Sequence, residues 1–349
     1  MMEIHLIFTA SNQLKMTITN SVNQHLGLKI CFSLVYSIES VDGGTITKKV
    51  GRYYEILSEK SEIFLTLQKT KIGSYNLSCG PEGLFVIDDN DKKLECFIHP
   101  LTFESPIPRV HYAEHQEKIL EPVIPLPFAS QLKQEFIKIT NLKFKIQPQE
   151  QDFFKNINNI TEVSNIIFNT ETGYEIVFLK QNLEAEEYKI FIDKSLITIN
   201  YSDYGGKLYS IITLVQLINF YKSKLPLGLI EDKPSLSWRG MHLDCARQFY
   251  SIERIKRLMD YMCFFKLNRF HWHLTDNEAW RVELDCYPNL TNQGAFRGYN
   301  EKIPPFYGTG YNKSGGYYSR SEIEELIEFA KQRNIEIMPE IDLPAHSWT

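Results

Sequence analysis

Over residues 1–100 apolar and polar positions alternate in short runs, as in Lys15-Met16-Thr17-Ile18-Thr19 and Ile30-Cys31-Phe32-Ser33-Leu34-Val35-Tyr36. A period of two sends alternate side chains to opposite faces of a strand. Turn residues at Asp42-Gly43-Gly44, Gly73-Ser74 and Gly80-Pro81 cut the runs to the length of sandwich strands. The pattern predicts an N-terminal β-sandwich over 1–115. Prolines then recur from Pro100 to Pro127, each removing a donor and fixing φ, so this stretch reads as a linker. Strand-like runs follow at 164–169, 174–178, 188–193 and 196–201. The period then changes: Leu208, Ile211, Ile212, Val215 and Ile218 fall at helical spacing within 207–222. A small sheet backed by a helix is expected, an α+β middle domain over 116–232.

From residue 233 the pattern becomes strand, helix, strand. SWRGMHLDCARQF leads into a helix in which Ser251 is the N-cap and Ile255, Leu258, Met259 and Met262 form the buried stripe. RFHWHLTDNEAW is the next strand. A second helix opens on a capping box, Ser319-Arg320-Ser321-Glu322, and buries Ile323, Leu326, Ile327 and Ala330; residues 335–338 form a third strand. Between them, 294–316 is rich in Gly, Tyr and Pro and too long for a plain connection, which marks a functional βα loop. The reading is a multidomain chain that ends in the first part of a (β/α)8 TIM barrel, incomplete, over 233–349. A whole barrel takes about 250 residues, so an uncovered apolar interior and a long parallel edge are expected.

Composition narrows the functions. With 43% hydrophobic and 13% aromatic residues the 349-residue chain can build several cores. A net charge of −5 leaves no basic stripe for phosphates, so nucleic acid is not an expected partner. Cys31, Cys79, Cys96, Cys245, Cys263 and Cys286 show no C-x-x-C spacing and read as free thiols. The opening MMEIHLIFTASNQ has no basic n-region and no run long enough for a leader or a membrane span. A cytoplasmic place is the expectation as written. Gly205-Gly206-Lys207 is not a phosphate loop, because Tyr201 and Leu208 stand where a Walker motif needs Gly and Ser or Thr; a tight turn into the helix is expected instead.

Polar groups collect where the barrel strands run out: Asp244 and Arg247 after the first, His271, His273, Asp276 and Glu278 along and after the second. That is the position of an active site in βα units. His271-x-His273 has a spacing seen in metal sites, but no third ligand is evident, and hydrogen-bonded barrel packing is the reading. Trp280, Tyr299, Tyr307, Tyr311 and Trp348 could stack on a ligand ring, Trp280 foremost, though aromatics in barrel loops are more often packing.

Arg239-Gly240-Met241-x-x-Asp244-x-x-Arg247-x-Phe249, Asn268-x-Phe270-His271-Trp272-His273-Leu274-x-Asp276 and Pro339-Glu340-Ile341-Asp342-x-Pro344-x-His346 together resemble the opening third of the catalytic domain of glycoside hydrolase family 20. Trp280-Arg281-x-Glu283 and Gly315-Gly316-Tyr317-Tyr318-Ser319-Arg320 point within it to the chitobiase-type β-N-acetylhexosaminidases. The resemblance implies removal of terminal β-linked N-acetylglucosamine or N-acetylgalactosamine with retention, the substrate's own acetamido oxygen acting as nucleophile, and no cofactor or metal. It also implies that N-acetylhexosamine-terminated glycans are the partners, that Arg247 and Trp280 bind substrate, and that Asp276 and His346 form a relay behind a general-acid Glu. It points to an exported or lysosomal place, against the cytoplasmic expectation, and to an N-terminal sandwich sometimes described as carbohydrate-binding. Asn277 and Ala279 depart from the family's usual Asp and Gly. The acid belongs to a His-x-Gly-Gly-Asp-Glu motif on the next strand, and no Asp-Glu pair occurs in the chain. Two readings stand: the N-terminal part of a hexosaminidase, inactive alone, or a truncated or degenerate form kept as a carbohydrate-binding or structural module.

Overall fold

A computed structural model describes residues 2–9, 13–20, 26–68, 80–104, 121–139, 141–144, 153, 156–157, 167–169 and 173–347. The turn expected at Gly73-Ser74, part of the run at 164–169, the prolines at 106 and 108, and Trp348 lie outside these residues. Alternation is realised as two facing sheets. One carries Met2–Phe8 hydrogen-bonded to Gln13–Asn20, and the other is built around Lys29–Ser33 and Tyr53–Ser58. Every second residue of Met2–Phe8 is buried, and Ile4, Leu14, Met16, Ile30, Ile56 and Leu65 fill the space between the sheets. The N-terminal part is the expected sandwich.

The middle part is a seven-stranded sheet with Ala129–Lys138 at one end, next to Lys224–Asp232, and the helix Tyr204–Phe220 on its face. The spacing of Leu208, Ile211 and Val215 predicted one apolar stripe, yet every residue from Gly205 to Ile218 is buried. The helix shares a single core with both the sheet and the barrel helix Ile252–Phe264, so it is covered on opposite sides. Its polar positions are satisfied inside. Gln216 bonds the backbone of Ile124 and the carbonyl of Phe264, and Thr213 meets the Tyr188 hydroxyl at 2.6 Å. Asp203 caps the helix by accepting from Gly206 N. The two glycines serve close approach, since a Cβ on Gly206 would meet the Glu187 carbonyl at 2.6 Å and one on Gly205 the Asn334 amide at 2.6 Å. A buried pair, Lys266 Nζ to Asp232 Oδ2 at 2.8 Å, ties this sheet to the barrel strands.

The last part holds β1 (Gly240–Asp244), α1 (Ile252–Phe264), β2 (Arg269–Asp276), α2 (Arg320–Lys331) and β3 (Glu336–Ile341). The strands are parallel with β2 in the middle, and among the described residues β1 and β3 each pair on one side only, which is the parallel edge expected. Phe270, Trp272 and Leu274 of β2 pack under the helices. The capping box at Ser319 is present in full. The opposite face differs from expectation: where an uncovered apolar interior was anticipated, it carries His242, His271, His273 and Glu340, with Met338 among them. Register explains this, because His242 lies opposite His271 and His273 opposite Glu340. No helix among the described residues is long and apolar enough to cross a membrane.

The loop 294–316 docks on the sandwich. Ile303 and Phe306 enter a small core with Cys31, Tyr53, Phe85 and Ile87, and Ser33 Oγ donates to the Pro305 carbonyl at 2.9 Å. Gly83, at φ +59°, lets the Gly308 backbone approach; a Cβ there would meet it at 2.6 Å.

Candidate active site

The site grows from the turn after β1. Asp244 Oδ1 accepts from the backbone N–H groups of Ala246 (3.0 Å) and Arg247 (3.1 Å), which turns the chain so that Arg247 points back over the strand ends. Its guanidinium then meets three carboxylates: Nη1 donates to Asp244 Oδ2 at 2.7 Å, Nη2 contacts Asp276, and Nε lies 3.5 Å from Glu278 Oε2. Burial pushes the Asp244 carboxyl up, but the bonds from Arg247 outweigh it and hold the group below the usual carboxylate range. Burial also disfavours the Arg247 cation, and the surrounding carboxylates more than restore it.

Asp276, at the end of β2, is 1% exposed. Its Oδ1 accepts from Asn277 N and lies 3.1 Å from Nδ1 of His346; its Oδ2 faces Arg247 and, at 3.3 Å, Nε2 of His273. His346 reaches it from the turn after β3, where its own backbone sits at φ +53° and Asp342 N donates to Thr275 Oγ1. Glu278 is held at raised pKa by burial first and by the charge of Asp276 second, with Arg247 opposing. Both causes favour its protonated form. The Tyr307 hydroxyl lies 3.4 Å from it, at the mouth of a cleft of about 240 Å³ whose far wall is Val35, Arg52 and Glu82 of the sandwich.

Arg247, Asp276 and His346, each picked out in the sequence, are thus brought together. Trp280 is not an open platform: it is 9% exposed and its indole N–H donates to the Val282 carbonyl at 2.7 Å, which places it in packing. Tyr299 and Tyr311 stack on each other at 5.4 Å and meet Phe85 edge-on, so they serve the contact with the sandwich. Tyr307 is the loop aromatic that faces the strand ends. Sequence reading missed Arg281, which is 1% exposed and donates to the carbonyls of Cys245, Ala246, Ala295 and Gly316, joining the turn after β1 to the loop 294–316. It also missed Glu340 and His242 as neighbours of the His271-x-His273 pair. Laying the three strands in register would have found both.

A guanidinium fork and a buried carboxylate–imidazole pair thus stand at the carboxyl ends of parallel βα strands, where barrels of such units carry their active sites. The sequence model described as "Glycosyl hydrolase family 20, domain 2" matches residues 122–233, and that described as "Glycosyl hydrolase family 20, catalytic domain" matches residues 236–349. The chain belongs to glycosyl hydrolase family 20. It is 40% identical over 181 residues to a beta-hexosaminidase of Vibrio furnissii, covering 51% of this chain and 30% of that protein. Against the N,N'-diacetylchitobiase of Vibrio harveyi it is 36% identical over 178 residues, 49% of this chain and 20% of that one. The solved exo beta-N-acetylglucosaminidase of Vibrio harveyi with bound N-acetylglucosamine superposes with a TM-score of 0.82 at 26% identity, over 99% of this chain and 58% of that one. The chain therefore spans less than a third of these curated relatives and little more than half of that solved chain.

Proposed function

We propose that this chain supplies the hydroxyl-gripping and relay half of a site that removes terminal β-linked N-acetylglucosamine or N-acetylgalactosamine from glycans. The observation that carries the reading is Asp276, almost fully buried yet bound at once to the Arg247 fork and to His346. Such a carboxylate is costly without a task. Arg247 offers paired donors suited to adjacent sugar hydroxyls. His346 is paired with Asp276 and follows the third strand, and the family's acid pair belongs to the strand after that. In that reading the substrate's acetamido oxygen bonds to the anomeric carbon as the glycosidic C–O bond breaks, and the general-acid Glu gives its proton to the leaving oxygen. Asp276 and His346 tune that proton and Arg247 holds the ring. The alternative reading is a carbohydrate-binding or structural module without turnover.

The assay is release of a chromogenic aglycone from a β-N-acetylglucosaminide, by the chain alone and by the chain joined to the remaining barrel residues, about 130 to 150 more. No turnover is expected from the first. In the second, Arg247→Lys should lower kcat/KM by about a hundredfold or more through loss of the paired bonds. Turnover by the joined form that is indifferent to Arg247→Lys, Asp276→Asn and His346→Gln refutes the assigned roles, and no turnover by the joined form leaves the module reading.

A further inference from the structure

The cleft of about 240 Å³ beside the strand ends is built by two domains: Asn277, Glu278 and Tyr307 form one wall, and Val35, Arg52 and Glu82 of the sandwich the other. Among the described residues β1 and β3 each pair on one side only, but none of the residues lining the cleft belongs to either strand. Both walls are therefore contained in this chain. We infer that the cleft binds one neutral sugar ring, a second ring of the glycan whose terminal ring Arg247 grips. The inference rests on the role proposed for Arg247 and adds the sandwich to the surface that recognises substrate.

Size, charge and presentation carry it. At roughly 30 Å³ per liquid water the cleft has room for about eight waters, enough for one pyranose and too little for two. Its walls bear both signs, and neither Arg52 nor Glu82 makes a side-chain hydrogen bond or ion pair among the described residues. A hydroxyl donates to a carboxylate and accepts from a guanidinium, so a polyhydroxylated ring satisfies both walls. Glu82 and Glu278 against the single Arg52 repel a sulfate or a carboxylate, which selects a neutral ligand. The Glu278 side chain is 14% exposed, yet its contacts to Tyr307 at 3.4 Å and Arg247 at 3.5 Å both lie at the outer limit of a hydrogen bond. A sugar hydroxyl reaching Glu278 from the cleft meets the carboxylate that also touches Arg247, which makes the cleft contiguous with the strand-end site. Tyr307 supplies an exposed aromatic face. Its backbone lies at φ +49°, a conformation that bulky residues rarely adopt, and is held there by Phe306 in the sandwich core. The buried Arg297 guanidinium lies 5.7 Å from the centre of the ring. A ring fixed in this way meets a ligand with little further loss of freedom.

The full chain is titrated with N,N'-diacetylchitobiose, followed by saturation-transfer NMR. The disaccharide should bind, and Arg52→Ala/Glu82→Ala, at two exposed positions, should weaken it at least about tenfold, the worth of a hydrogen bond to a charged group. N-acetylglucosamine 6-sulfate should bind no more tightly than N-acetylglucosamine. Hydrogen exchange of the wild-type chain, which requires no variant to fold, should slow around Tyr307 when the disaccharide is present. Arg247→Met separates this inference from the role of Arg247. Affinity that depends on Arg52 and Glu82 but not on Arg247 keeps the cleft and removes the grip; affinity that depends on Arg247 alone keeps the grip and overturns the cleft. No binding of the disaccharide by the folded chain, exchange around Tyr307 unmoved by it, or tighter binding of the sulfated sugar also overturns the inference.

Discussion

Replacing Arg247 by Met removes the cation that three carboxylates share, while keeping the bulk of the side chain. Two unit charges about 4 Å apart interact by roughly 4 kcal/mol at an effective dielectric of 20, and breaking a buried pair costs about 3 to 5 kcal/mol. Arg247 is about a third exposed, so the lower end applies, about 3 kcal/mol at neutral pH. The pH dependence is the sharper test. Glu278 already has a raised pKa from burial and from Asp276. A raised folded-state value means the folded protein holds that proton more tightly than the unfolded chain, so stability is present in acid and lost as pH rises through the folded value. Without Arg247 the value rises further, and the loss extends to higher pH. Urea denaturation of wild type and Arg247→Met at pH 5 and pH 8 should show a penalty smaller at pH 5 by about 1 to 2 kcal/mol, since a tenfold change in proton affinity is worth about 1.4 kcal/mol. An equal penalty at both pH values, or one below about 1 kcal/mol at pH 8, would show that the carboxylates are relieved by water and not by Arg247.

Arg281→Met, which strands four carbonyls around a buried side chain, should cost at least about 3 kcal/mol in urea denaturation; a loss under about 1 kcal/mol would mean that water replaces the guanidinium. Phe306→Ala empties part of the small core between the loop and the sandwich, and about 3 to 5 kcal/mol of local stability should go with it. Limited proteolysis should then cut within 294–316 while the β2 region stays protected, and unchanged protection of the loop would count against the docking. In the chain joined to the rest of the barrel, Asp276→Asn and His346→Gln should each move a limb of the pH–rate profile, with the double change less than additive; additive losses with an unmoved profile would dissolve the relay.

Much of this was legible because local periodicity decides it. Met16 and Ile18 alternate onto one face of a strand, and Ser319 with Glu322 closes a helix end without help from the rest of the fold. Arg247 and Asp276 were legible for another reason: strand ends in βα units lie side by side, so polar groups near them meet even when far apart in sequence. What escaped the sequence depends on register or on what lies outside an element. The burial of the helix on all sides from Gly205 to Ile218 follows from the sheet beneath and α1 above, neither visible in its own spacing. Trp280 and Tyr299 have the composition of a sugar platform and the surroundings of a core. The convergence of His242 and Glu340 on the His271-x-His273 pair needs three strands aligned at once.

The sandwich bears on the site through one turn of chain. Phe306 is fixed in the sandwich core beside Tyr53 and Phe85, and Tyr307, the next residue, turns back at φ +49° with its hydroxyl toward Glu278. Residues before Phe306 are held by Ser33, and those after it by the contact of Gly308 with Gly83, so the position of Tyr307 is set from both sides by the sandwich. Glu278 in turn lies against Arg247, and burial and the charge of Asp276 raise its own proton affinity. A hydroxyl placed by the sandwich therefore stands two contacts from the guanidinium, by way of Glu278. The order of the three parts along the chain matches that path: the sandwich seats the loop, the loop seats Tyr307, and the strand ends supply the charges it faces.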